Sequence, residues 1–396
     1  MRNIRLPEWT YAHTVLTFST LAFFGTMLGR LSISPVIPLI TDGFAITNTT
    51  VGLALTGMWM AYAISHFPSG IAGDRYGERL IIIVALVGTA LMGMVVAMAP
   101  SVGVFIAGVV LLGAFAGLHY STATNLLART HDNLGFAIGI HTIGAPAGGL
   151  IAPVAAAWVG YRYGWRPAVA LGALVAVPIA MVFALRITPM KPRFPNTPIM
   201  ERIHPSDVIG FLMRPRILFT ALFAFSGAFV WQGVASFLPT FLIDYHGLSV
   251  TFAGALFSLY FLIQALSKPL LGRISDIFPR DAGVGVSLIT GATGMAGFIL
   301  FDGLAGVLIS VILIGTGLGM AVTVEPRFMD IMSDEEQGMG FGLIRMVFLM
   351  LSALGSVSMG FLADSFGWAV AFLGMSGGLL MLFFILAVNT IFRWGL

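Results

Sequence analysis

No cysteine occurs among the 396 residues, so neither a disulfide framework nor thiol chemistry is available and the redox compartment leaves no mark. Charge is scarce as well: Asp, Glu, Lys and Arg make up 9% of the chain, against about 25% in ordinary soluble domains. That deficit leaves too little polar surface to cover a water-soluble globule of 42.1 kDa. No phosphate-cradling glycine loop with a following Lys appears, which excludes ATP as the energy source. His13, His204 and His246 are scattered without metal-ligand spacing, so neither a metal nor a cofactor is expected. Acids are missing from the apolar runs almost entirely.

Hydrophobic residues, by contrast, make up 58% of the chain. They fall into apolar stretches of about 20 residues, the length a helix needs to cross a hydrocarbon core. Twelve are expected: 11–40, 51–69, 80–99, 102–127, 136–160, 167–187, 216–242, 251–270, 283–301, 304–324, 338–362 and 368–391. Lipid offers backbone groups no hydrogen-bond partner, so such spans must be helices. The chain therefore reads as an all-α, multi-pass membrane protein whose first span, long and carrying Arg30, is not a cleaved signal.

Of the 20 Lys and Arg, fifteen fall on one side of these spans, two (Arg162 and Arg166) on the other, and three inside them. This asymmetry predicts both termini and the central segment in the cytoplasm. It also accounts for the pI near 9.4 as topology, with no nucleic-acid partner implied. The hydrophilic, proline-rich segment 188–215 divides the spans six and six, giving an expected N-terminal bundle (1–187), linker (188–215) and C-terminal bundle (216–396).

The two halves repeat. A shift of 202 to 203 residues lays Arg30 on Gln232, Ser34 on Ser236, Gly52 on Gly254 and Gly70 on Gly272. It also lays Asp74 on Asp276, Gly117 on Gly319 and Gly164-Trp165 on Gly367-Trp368. Parallel six-span halves fit transporters that work by alternating access.

The stretch Gly70-Ile-Ala-Gly-Asp74-Arg75-Tyr-Gly77-Glu-Arg79 resembles the loop signature between the second and third helices of the major facilitator superfamily. It departs at Glu78, where the family usually has a cation. The second copy keeps Gly272, Asp276 and Arg280. The resemblance implies two six-helix bundles related by pseudo-twofold symmetry, with these residues as a cytoplasmic gating motif. In the physical reading, Gly70 lets two helices approach closely and Asp74 accepts from backbone amides or an Arg.

Three cations lie inside spans: Arg30, Lys268 and Arg345. A charge at that depth is costly and marks a ligand, ion or proton path. Thr26, Arg30 and Ser34 fall at i, i+4, i+8, as do Gln232, Ser236 and Thr240, and as do Tyr260, Gln264 and Lys268. Tyr62 and His66 pair on the second helix, and Arg345 leads a lane with Ser352 and Ser356 on the eleventh. These lanes predict a wet path lined by Arg30, Lys268, Arg345, Gln232, Gln264 and Tyr62, suited to a small organic anion, a carboxylate above all. Lys268-Pro269 followed by Gly272 and Asp276 is similar to the eighth helix of monocarboxylate and oxalate–formate carriers. In those carriers the cation at this position engages substrate carboxylate. His66, His119 and His141 are candidates for proton coupling, through their near-neutral titration.

The expected function is secondary transport of that anion across the cell membrane by a monomer in the lipid bilayer, as proton symporter or anion exchanger. Many proton-driven antiporters of the superfamily carry an Arg four residues before the first glycine of their fourth-helix motif, where this chain has Val109. A drug exporter is the first alternative, because GLHYSTATNLLARTHDNLGFAIGIHTIGAPAGG resembles fosmidomycin-resistance exporters in cadence. A non-transporting membrane sensor is the second. Glu325, followed by Pro326, is expected to open the loop after the tenth helix, facing solvent or pairing with Arg327, with no substrate role. Small-xxx-small pairs (Gly113/Gly117, Gly144/Gly148, Gly315/Gly319, Gly338/Gly342) are expected to permit close helix packing.

Overall fold

The computed structural model describes residues 9–193, 210, 213–333, 344–392 and 394, and among these there is no β-strand. The first half contains α1 (Tyr11–Leu31), a 3₁₀ turn (Ser34–Val36), α2 (Ile37–Phe44), α3 (Asn48–Tyr76), α4 (Glu78–Ala97), α5 (Val102–Thr130), α6 (Leu134–Thr142), α7 (Gly144–Tyr163) and α8 (Trp165–Arg186). The second contains α9 (Pro215–Asp244), α10 (Val250–Ile277), α11 (Arg280–Leu300), α12 (Gly303–Gly317), α13 (Ala321–Ile331), α14 (Ile344–Phe366) and α15 (Trp368–Phe392). Most of the expected linker, and Gly338/Gly342, lie outside the described residues.

Four spans are broken helices. The first bends at Ser32–Val36, the fifth at Ile143, the tenth at Leu318–Met320 and the eleventh at Ala353. Joined across these breaks, eleven segments are long and apolar enough to cross a membrane. The twelfth, α3, has the length at 29 residues, but Tyr62, His66, Pro68 and its Asp74-Arg75 end make it more polar. Its polarity follows from what it faces, as the cavity below makes plain.

The repeat is visible in the backbone. Gly164 and Gly367 both take φ of +85° and immediately precede the helices opened by Trp165 and Trp368. A side chain is strained in that left-handed region, so glycine is needed at both corners. The halves meet along two crossings, α3 with α14 and α7 with α10. Each turns on one of the paired glycines. A Cβ at Gly52 would lie 2.7 Å from the Ser356 carbonyl oxygen, and one at Gly254 would lie 2.9 Å from that of Pro153.

The closeness expected of Gly70 is not seen, nor does its repeat partner Gly272 show any. The nearest atoms to a Cβ at Gly70 are 3.9 Å away, and nothing lies within 4 Å at Gly272. Close packing is instead carried by Gly113 and Gly117, whose Cβ atoms would overlap the Met58 and Tyr62 carbonyl oxygens of α3, and by Gly144 and Gly148 against α1.

Polar bonds between the halves gather at one end of the molecule. Asp364 on α14 accepts from the Thr49 backbone N–H (2.7 Å), the Thr49 hydroxyl (2.6 Å) and Asn48 Nδ2 (3.0 Å), capping the start of α3. Thr56 donates to the Ala353 carbonyl (2.9 Å) and accepts from the Val357 N–H (3.1 Å). Ser34 donates to the Ser236 carbonyl (2.5 Å). At the opposite end the ion pairs between described residues stay within one half. Glu78, the departure from the family pattern, is buried and holds Arg129 with both oxygens at 2.8 Å. Arg280 joins Asp276 (3.0 Å) to Asp330 (2.8 Å), and Arg327 pairs with Asp281.

Candidate functional site

A cavity of about 280 Å³ opens between the halves, next to the breaks after Ile143 and at Leu318–Met320. Unwound backbone at that depth is tolerated where it lines such a space. The Leu318 carbonyl exposed by the break is taken up by Gln264 Nε2 at 3.2 Å. Arg30, Tyr62, His66, Gln232, Gln264, Lys268 and Arg345 all line the cavity, from α1, α3, α9, α10 and α14. Rings supply much of the remaining wall, Trp59, Tyr120, Trp231 and Phe261 among them.

Arg30 is 2% exposed. Its Nε donates to the Thr26 carbonyl one turn back (3.2 Å) and its Nη2 meets the Met27 sulfur (2.8 Å). The guanidinium lies 4.0 Å from the centre of the Tyr62 ring and 5.0 Å from that of Trp59. Ring faces therefore offset part of its desolvation, as cation–π contacts do. Among the described residues no carboxylate pairs with it and Nη1 has no hydrogen-bond partner.

The opposite wall differs. Glu325 lies in α13, inside the tenth span, and lines the cavity, where its carboxylate stands 3.5 Å from Arg345. This corrects the expectation that it opens a loop. Pro326 does not stop the helix. The break falls earlier, within the run Gly315-x-Gly317-x-Gly319, and Pro326 sits inside the helix that resumes at Ala321. Arg327, its supposed partner, points elsewhere, to Thr220 and Asp281. Arg345 also stands over the Tyr120 ring at 5.5 Å. Lys268 lines the same wall with no ion pair among the described residues. Three cations and one carboxylate leave the lining with a formal charge of +2.

The histidines separate. His66 lines the cavity, edge-on to Tyr62 at 4.4 Å. His119 and His141 do not line it. They are fully buried, 5.4 Å from each other, and both stack on Phe23, which does face the cavity. Of the gating candidates, Asp74 is half-buried and its Oδ1 has no partner among the described residues. Arg75 lies over Tyr76, Gly77 turns the chain at φ +92° and Arg79 donates to the Ala184 carbonyl. The polar lanes serve packing as well as the cavity: Ser236 bonds Ser356 (2.7 Å), and Ser352 bonds the Phe225 carbonyl (3.0 Å).

Helices in two halves around a cationic cavity define a membrane transporter fold. The Major Facilitator Superfamily model matches residues 19–324 and 220–393, and the chain belongs to that family. It is 26% identical over 281 residues to the hexuronate transporter of Bacillus subtilis, covering 69% of this chain and 66% of that protein. It is also 26% identical over 274 residues to the multidrug resistance protein MdtG of Citrobacter koseri, covering 66% of each. The chain thus spans slightly under two thirds of the length of either relative. A solved bacterial homologue of the human lysosomal transporter Spinster superposes with a TM-score of 0.77 at 18% identity, over 98% of this chain and 97% of that one. The fold is that of the family.

Proposed function

We propose that this transporter carries a small organic anion, a carboxylate in the first instance, with Arg30 as its principal anchor. The observation that supports this reading is the fully buried guanidinium, its Nη1 without a partner among the described residues, in a lining of formal charge +2. Lys268 and Arg345 add attraction from the second wall, and Gln232, Gln264 and Tyr62 shape the fit. The halves 1–187 and 216–396 alternate access around this site, in a plasma-membrane monomer with cytoplasmic termini, as the distribution of Lys and Arg favours. Coupling is by proton symport or anion exchange. His66 is the histidine of the three placed to sense the cavity.

The test is a binding screen of the purified chain against carboxylates, phosphonates, nitrate and lipophilic cations. Carboxylates are expected to stabilise it, and Arg30→Ala to abolish that effect. Stabilisation by cations alone would favour the reading as a drug exporter, which the relative MdtG and the ring-rich walls support.

In the same scheme the Asp74 motif closes the cytoplasmic end. Asp74→Asn is expected to slow uptake by about tenfold or more while ligand affinity stays within twofold, since the change acts on a conformational step. Wild-type uptake by this variant would reduce the motif to a turn.

A further inference from the structure

Three buried polar atoms of the cavity lining lack a hydrogen-bond partner among the described residues: Arg30 Nη1, a donor, His66 Nε2, and Gln232 Oε1, an acceptor. His66 belongs to the same half as Arg30, edge-on to Tyr62, whereas Arg30 and Gln232 come from different halves and face each other across the cavity. Their residues are 2% and 3% exposed, and both line the cavity. Leaving such groups unsatisfied is costly, and native interiors rarely do so without a ligand or water to complete them. The repeat sets them at equivalent positions, Arg30 of the first half against Gln232 of the second.

Their separation is bounded by two contacts. Ser34, four residues after Arg30, donates to the carbonyl of Ser236, four residues after Gln232. Each polar group is therefore about 6 Å along its own chain from a point where the two helices touch. Nearer the cavity, the Trp59 ring beneath the Arg30 guanidinium packs edge-on against the ring of Trp231, Gln232's neighbour, at 5.5 Å. The pair thus frames a small space floored by two indoles.

Other polar lining groups are less suited. Gln264 Nε2 is held by Tyr260 Oη (3.1 Å) and the Leu318 carbonyl. Lys268 and Arg345 share the other wall with Glu325. A bare carboxylate satisfies Arg30 and leaves Gln232 Oε1 empty, whereas a hydroxyl beside the carboxylate satisfies both.

We infer that the transported anion carries a hydrogen-bond donor beside its carboxylate, so that it is a hydroxy acid rather than a simple fatty or keto acid. Its carboxylate takes Arg30 Nη1 and its hydroxyl donates to Gln232 Oε1, with the body against Trp59 and Trp231. This rests on the anion reading above, and the experiment separates the two.

Binding to the full-length purified chain is measured by titration calorimetry with matched acids: mandelate, phenylacetate and phenylglyoxylate, then 3-hydroxybutanoate, butanoate and acetoacetate. The hydroxy member of at least one set is expected to bind about 10- to 100-fold more tightly than both its deoxy and its keto partner, the range set by leaving a buried acceptor unpaired. Gln232→Leu should erase that advantage by weakening the hydroxy acid alone, and Arg30→Ala should weaken every acid that binds. Equal binding of hydroxy and deoxy acids to the wild type overturns the donor inference and leaves the anion reading standing. A keto acid as tight as its hydroxy partner also overturns it, since Gln232 would then present its N–H. No binding by any acid removes both readings. The wild-type series decides the matter even where Gln232→Leu fails to fold.

Discussion

Arg30 on one wall of the cavity and Arg345 on the other carry the same charge in surroundings that differ in kind. Arg30 is sealed among Tyr62, Trp59, Met27 and the Thr26 carbonyl, with no carboxylate among its described neighbours. Arg345 and Glu325 face each other across 3.5 Å, with side chains 34% and 37% exposed. That distance exceeds the roughly 2.7–2.9 Å of a tight charge-assisted bond. The first cation is dry, positioned and available. The second is wet and already answered by a carboxylate of its own. A buried, pre-positioned charge gives more to an incoming anion than an exposed, compensated one, because solvent screens the latter and its partner competes.

Mutations test that contrast directly. Arg30→Ala is expected to cost on the order of 2–5 kcal/mol of anion affinity. Arg30→Lys should restore only part of this, because the planar fork is lost. Unchanged affinity in folded, monodisperse Arg30→Ala would break the contrast outright. Arg345→Ala should cost about 1 kcal/mol, and Glu325→Gln should act in the opposite direction. Removing the competing carboxylate is expected to tighten anion binding by about fivefold, the scale of one Coulomb interaction in a partly wet site. Weaker anion binding in Glu325→Gln would mean that the carboxylate itself contacts the ligand, and the two walls would have to be read alike. The smallest effect is expected away from the cavity. Asp364→Asn removes a charged acceptor from the start of α3, worth about 1 kcal/mol. Amide exchange in segment 48–57 should then quicken about fivefold, as followed by mass spectrometry. Unaltered exchange would show that the crossing is held by its apolar contacts alone.

The same contrast explains what sequence reading can reach. That Arg30 lines the cavity was legible because an isolated cation in a long apolar run is costly against lipid, and Thr26 and Ser34 mark its face by helical spacing. The twelve spans and the paired Gly-Trp corners were legible because period and glycine placement are local signals. Glu325 was not, because Pro326 reads as a helix stop although the chain breaks at the preceding glycines instead. Nor was the burial of His119 and His141 behind Phe23, since depth along a helix is readable and direction around the bundle is not. Gly70 does not bring helices together as the motif suggests; that closeness comes from Gly113, Gly117, Gly144 and Gly148. Glu78 broke the family pattern, and its reason, Arg129, lies 51 residues away.

The two glycine crossings have a mechanical consequence. At Gly52 one helix rides on the bare carbonyl of Ser356, and at Gly254 on the Ala157 methyl and the Pro153 carbonyl, so the glycine face of each crossing offers no side chain to interlock. Such surfaces act as plain bearings: they carry load and let one shaft roll on the other without a ratchet of teeth. Only the α3–α14 bearing also carries a catch, formed by Asp364 on Thr49 and Asn48. Among the described residues no side-chain hydrogen bond joins α7 to α10. Motion of one half over the other therefore meets polar resistance at this catch and at the Ser34 bond to the Ser236 carbonyl, and a release would have to break both.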